Sequence, residues 1–301
     1  MPMPESGVRR LAGVVLTVVA IGLAGCASHR PLPPKLPPPP VPAPLQPTVI
    51  LPPKAAGPGA LVTVELGRSV LGRPIEATVF EGTRGCILIL GAIHGDEPLA
   101  GELVERMASY LKAHPEARAG RTIVLIPHAN PDGLAAGTRW NARGVDVNRN
   151  FPTRNFTPDY RHGSEPLSEP ESGALVAAIA RYQPSCVISV HSPLSCIDPD
   201  GGKASSALAR EMALYSPLPI KLLPALPGSL GSYAGNELNL KMITYELDRK
   251  DLPGWNSAGY LDRHLKPLLV AVEKCGAGTA SSQRTVDKPV RRGPTGNGTG
   301  Y

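Results

Sequence analysis

Three absences narrow the reading of this chain of 301 residues before any motif is considered. No apolar run is long enough to cross a bilayer. The longest, LAGVVLTVVAIGLAG at residues 11–25, follows Arg9 and Arg10 and has the length of a secretory signal core, not of a spanning helix. No internal repeat is present, so there is no solenoid or propeller period. The central part of the chain also lacks net charge. Between Lys54 and Cys275 there are 23 Lys plus Arg against 23 Asp plus Glu, so the formal +6 lies wholly in the flanks. The basic balance is therefore no sign of a nucleic-acid partner.

The flanks are informative in their own right. The apolar run ends in LAGC, small residues before Cys26, which resembles the lipobox of bacterial lipoproteins; on that resemblance residues 1–25 are a signal peptide and Cys26 is lipidated. Ala27 follows, not Asp, so the expected address is the periplasmic face of the outer membrane. From Pro31 to Pro53, twelve of 23 residues are proline. Residues 26–53 thus read as a stiff tether, reaching roughly 70 Å at about 3.1 Å per residue in polyproline II. Residues 276–301 are rich in Gly, Ser and Thr and read as a disordered tail.

Residues 54–275 remain, long enough for one domain with a full core. Four cysteines fall in it. Cys86 and Cys186 open apolar β-like runs and read as buried thiols, while Cys196 and Cys275 are candidates to pair, with all three connectivities left open.

Alternation in LVTVEL and PIEATVFE predicts a hairpin, and the continuous run CILIL predicts a central strand buried on both faces. PLAGELVERMASYLKAH places Leu99, Leu103, Met107 and Leu111 on one stripe and starts with Pro98 at a favourable first helical position. RTIVLIP, CVISVH and KMITYEL read as strands. SEPESGALVAAIARY reads as a capped helix, and KASSALAREMALYS and SAGYLDRHLKPLLVAV as further helices. Strands alternating with helices predict an α/β fold: a mixed, mostly parallel sheet of about seven or eight strands with helices on both faces.

In such sheets ligands bind beyond the carboxyl ends of the strands. Four titratable residues gather there: His94 and Glu97 after CILIL, His191 at the end of CVISVH, and Glu246 at the end of KMITYE. Two histidines and a carboxylate with one open position is a common catalytic zinc arrangement, which leaves Glu246 as general base on the attacking water. Singly, each has a plainer account, His-x-x-Glu as a surface turn and a strand-ending histidine as a half-buried ring. His29, His114, His128, His162 and His264 are left on such accounts: leader, helix end, loops and helix surface.

The segment ANPDGLAAGTRWNARGVDVNRNFP at 129–152 adds weight to the set. With the His-Gly-Asp-Glu turn, the strand-ending His-Ser and the late Glu-Leu, it resembles the zinc metallocarboxypeptidases, and among them the compact bacterial murein peptide amidases, in order from Gly91 to Leu247. The resemblance implies one Zn²⁺ held by His94, Glu97 and His191, with Asp146 orienting His94. It makes Glu246 the base, sets Arg139 at the scissile carbonyl oxygen, and gives Asn148 and Arg149 the free carboxylate of the leaving residue. It further implies hydrolysis of the γ-D-glutamyl to meso-diaminopimelate bond of murein peptides.

The chain departs from the digestive members. LLPALP precedes Gly228 and Ser229 where those enzymes carry a mobile tyrosine, so a proton-donating tyrosine is in doubt, with Tyr233 nearby. No activation prodomain is expected, since only the proline tether precedes the domain. Short loops between motifs predict an open cleft. GSLGSYAG, with Asp198 and Asp200, is the candidate reader of the second amino-acid centre of diaminopimelate. The rival readings are a zinc deacylase of the aspartoacylase and succinylglutamate desuccinylase kind, and a non-catalytic wall-binding lipoprotein.

Overall fold

The structure, a computed structural model, describes residues 57, 59–248 and 257–275. The signal peptide, Cys26, the tether and the tail lie outside the described residues. Among the described residues no helix is long and apolar enough to cross a membrane.

Seven strands form one sheet in the order β1-β2-β4-β3-β5-β7-β6. The predicted hairpin is β1 (Leu61–Arg68) against β2 (Pro74–Phe80), antiparallel at one edge. β3 (Cys86–Leu90), β4 (Thr122–Ile126), β5 (Cys186–His191) and β7 (Lys241–Glu246) run parallel to one another through the middle. The short β6 (Cys196–Asp198) closes the far edge, antiparallel to β7. CILIL is the middle strand of the seven, and four of its five residues have no exposed surface. That is why it lacks alternation: neither face meets water.

Helices cover both faces. α1 (Pro98–Ala113), α4 (Gly202–Ala213) and α5 (Ser257–Lys274) press Leu103, Met107, Leu208, Met212, Leu261 and Leu268 onto Ile87, Ile89, Ile188 and Ile243. α3 (Pro170–Tyr182) lies on the other face with Leu175 and Ile179 among Leu88, Leu90, Val124 and Val187. Even and odd positions of one strand thus serve two separate cores. The helical turn α2 (Pro131–Ala136) and a π-helical turn at Ser232–Glu237 complete the described elements near the site.

Several expectations are corrected. Cys186 is not a buried thiol: it forms a disulfide with Cys275, and Cys196, the expected partner of Cys275, is a buried free thiol beside Cys86 in kind. Cys186 begins the sheet's central crossover strand, and the end of α5 returns to that same edge, so the pairing follows from topology that spacing does not reveal. α3 begins without a side-chain cap, because Ser168 Oγ is turned to Glu169 and Asn150. His264 is not on a helix surface; it has no exposed area and shares a hydrogen bond at 2.9 Å with Tyr245 Oη.

Candidate active site

The parallel strands β3, β5 and β7 end side by side, and register sets His191 directly opposite Glu246. The loop after β3 needs glycine: a Cβ on Gly95 would overlap the backbone of Gly133, so the His94 turn lies flat against the start of α2. Glu97 occupies the N-cap of α1, where an acidic side chain usually folds back onto the first turn's N–H groups. Here it makes no cap. Its Oε1 lies 2.8 Å from His94 Nδ1 and its Oε2 3.0 Å from His191 Nδ1.

Those two Nδ1 atoms face each other at 3.2 Å. The outer nitrogens point away to their own supports: His191 Nε2 meets Ser189 Oγ at 2.8 Å, and His94 Nε2 faces Asp146 Oδ1 at 3.3 Å. All three residues are buried, and one ligand atom from each lies within 4.8 Å of the others. Two imidazoles converging through the same nitrogen, each backed by an oxygen, fit the donor set and outer support of a zinc site.

The electrostatics agree with a place for a cation. Burial opposes a proton on His94, yet Glu97 and Asp146 outweigh it and hold its pKa up at about 9. Burial likewise opposes ionisation of Glu97, and His191 and His94 overcome it, pulling the carboxyl well below its usual range. Asp146 is held down in the same way by His94 and Arg139. The pocket is built to hold positive charge, whether on the imidazoles or on an ion between them.

The remaining predicted residues line the same cleft, of about 200 Å³. Arg139, a third exposed, spans Asp146 Oδ2 (2.9 Å, from Nε) and Glu97 Oε1 (3.8 Å, from Nη1). Asn148 and Arg149 follow on a single 3₁₀ turn capped by Asp146, which accepts from Asn148 N at 2.9 Å. Asn148 Oδ1 in turn accepts from Leu230 N, which joins this turn to the Gly228–Ser229 loop. Glu246 accepts from Leu194 N at 3.2 Å, and burial raises its pKa.

Asp198 and Asp200 stand on the cleft wall, Asp200 fixed by Thr244 Oγ1 at 2.7 Å and Asp198 by Leu223 N at 3.2 Å. Burial and the neighbouring Asp200 push Asp198 up to about 6. Tyr233 stacks on Phe151 and is not among the cleft's lining residues, so it is not placed as a proton donor. Sequence reasoning missed Ser189. It lies two residues before His191 on the same strand, hence on the same face, and that alternation was the available signal.

Known proteins resemble the chain over this region. The zinc carboxypeptidase family profile matches residues 54–197. Murein peptide amidase A of Escherichia coli (strain K12) is 37% identical over 202 residues, covering 61% of this chain and 80% of that protein. The protein of the same name from Vibrio campbellii is 35% identical over 248 residues, covering 75% and 94%. Among solved structures, murein-tripeptide amidase from Escherichia coli O157 superposes with a TM-score of 0.53 at 31% identity, covering 72% of this chain and 93% of that one. Carboxypeptidase A from Helicoverpa armigera superposes with a TM-score of 0.62 at 19% identity, covering 74% and 70%, a likeness of fold alone.

Proposed function

The chain belongs to the zinc carboxypeptidase family and is a hydrolase, and on that premise we propose that it cleaves the γ-D-glutamyl to meso-diaminopimelate bond of murein peptides. The observation that carries this reading is the meeting of His94, Glu97 and His191 with Glu246 and two arginines in one cleft. Zn²⁺ held by the first three would supply Lewis-acid polarisation of the scissile carbonyl and lower the pKa of a bound water. The chain's own groups do the rest. Arg149 and Asn148 take the free carboxylate of the leaving residue. Arg139 offers its outer N–H groups to the carbonyl oxygen as negative charge develops there. Glu246 takes the proton of the attacking water and returns it to the leaving amine, a task helped by a pKa raised through burial.

The murein substrate is supported by the names and similarity of the relatives. Asp198 and Asp200 add a chemical reason: paired wall carboxylates suit the ammonium group of the second centre of diaminopimelate. For location, we propose a lipid anchor at Cys26 and the periplasmic face of the outer membrane. The Cys186–Cys275 disulfide supports an oxidising compartment. Replacing Cys26 with Ala should move the protein from the membrane fraction to the soluble one, and continued sedimentation with membranes would refute the anchor.

The test of substrate is direct. Purified protein is incubated with L-Ala-γ-D-Glu-meso-diaminopimelate and, separately, with N-acetylaspartate, and products are identified by mass. Release of diaminopimelate is expected. Cleavage of N-acetylaspartate alone would favour the deacylase, and no cleavage of either would favour a binding protein.

A further inference from the structure

Between Arg139 and Asp146 lies a buried side chain, Asn141, that touches neither the cleft nor the metal ligands. Its backbone closes a tight turn, N–H to Val145 O at 2.9 Å and carbonyl from Gly144 N at 3.0 Å. Inside the turn, Asn141 Oδ1 accepts from Arg143 N at 3.0 Å and from Val145 N at 3.1 Å. On the other side its Nδ2 donates to Glu169 Oε2 at 2.7 Å and to Glu171 Oε2 at 3.0 Å. All four hydrogen-bonding positions of the carboxamide are therefore filled. Its orientation is also fixed: flipped, the amide would set its oxygen against two carboxylates and its N–H groups against two N–H donors.

The two acids are a costly support. Glu169 and Glu171 are both buried at the start of α3, and burial raises the pKa of Glu171. Packing of apolar residues would fill the same space without desolvating charge. What the acids secure is the turn. Its two legs end at Arg139 and Asp146, joined at 2.9 Å, and Asp146 in turn faces His94. A shift of the turn would move the oxyanion-facing guanidinium and the support of a metal-ligating imidazole together.

We propose that Asn141 is a positioning residue for the catalytic centre: anchored on Glu169 and Glu171, it holds the turn that aims Arg139 and Asp146. This rests on the reading of the site given above. Loss of a group bonded directly to a metal ligand weakens metal binding by about 10- to 100-fold, and Asn141 stands one contact further out, so the low end of that range is its expected share.

The test measures zinc affinity of metal-free protein by competition with a chromophoric chelator, alongside melting temperature and kcat. Asn141→Ala should weaken zinc binding by about 10-fold and lower kcat. Because that variant removes one partner from each of two buried carboxylates, leaving Glu169 to Arg143 and Ser168 and Glu171 to Val70 N, Glu171→Gln is measured beside it. It preserves volume, but its single amide oxygen cannot accept from both Val70 N and Asn141 Nδ2 as the two carboxylate oxygens do, so it should fold with a modestly lower melting temperature and shift zinc affinity and kcat in the same direction, by a smaller factor. Wild-type zinc affinity and kcat in Glu171→Gln, or in folded Asn141→Ala, would overturn the proposal and leave Asn141 a purely structural residue. Zinc binding needs no murein substrate, so failure of the tripeptide assay would sink the proposed function without touching this measurement.

Discussion

The two ends of the same parallel strands are built on opposite terms. At the amino ends of β3 and β5 side chains are tied into the fold by a covalent bond and by hydrogen bonds to backbone carbonyls. Cys186 is bonded to Cys275, Ser185 Oγ donates to the carbonyls of Cys86 and Cys275, and Arg121 bridges the carbonyls of Arg84 and Glu273. At the carboxyl ends of β3, β5 and β7, the buried residues His94, Glu97 and His191 bring one nitrogen or oxygen each to within 4.8 Å of the others, and the buried Glu246 lines the same cleft. The first end closes the fold without need of anything else. The second gathers buried charge around an open cleft, with a donor set that fits a zinc ion. Stability and function occupy opposite ends of the same strands, so a site rich in buried charge is carried on a rigid frame.

Variants at the two ends should therefore behave differently. The largest effect belongs to Glu246→Gln, which should retain zinc but lower kcat by roughly 10³- to 10⁴-fold. Near-normal turnover would remove Glu246 from the role of base. Next, Cys186→Ser with Cys275→Ser should lower unfolding free energy by about 2–4 kcal/mol in denaturant titration while activity per folded molecule is kept. An equal loss of kcat at full folding would show that the two ends are not separable. Arg149→Ala should raise KM for the tripeptide by roughly 10- to 100-fold, the worth of one charged hydrogen bond. An unchanged KM would remove its grip on the carboxylate.

A further contrast lies between two buried histidines. Neighbouring carboxylates raise the pKa of His94, whereas burial lowers that of His264 to about 4, with Asp248 opposing and Arg263 assisting. Tyr245, Tyr260 and Asp248 surround it. The unfolded state takes up the proton below about 6.5 and the folded state does not until about 4, so stability should fall as pH drops through that window, by up to about 3 kcal/mol from this group. His264→Gln should flatten the fall in the urea midpoint between pH 7 and pH 4.5. A profile that stays as steep would assign the loss elsewhere.

How much of this was legible in the sequence depended on whether a feature lay along the chain or across it. The apolar runs CILIL and CVISVH, and the stripe Leu99, Leu103, Met107 and Leu111, carry their own periodicity, so the sheet and α1 could be read directly. His94, Glu97, His191 and Glu246 were found because strand ends share one side of the sheet, whereas Arg139, Asp146, Asn148 and Arg149 came from the resemblance to the zinc metallocarboxypeptidases. β6 is three residues long, too short to show alternation, and was missed. Ser189 and Asn141 were missed because serine and asparagine are ordinary in strands and turns, and only distances show what they hold. Cys186 and His264 were misplaced for a related reason: their partners, Cys275 and Tyr245, come from elements far away in sequence.

If the charge at the carboxyl ends holds one zinc for peptide hydrolysis, stripping the protein with a chelator should abolish release of diaminopimelate from L-Ala-γ-D-Glu-meso-diaminopimelate. Titrating zinc back should restore activity in proportion to the zinc added, reaching a plateau at one equivalent per chain. Undiminished cleavage by the stripped protein, or an intact tripeptide at every zinc level, would contradict that role for the charge.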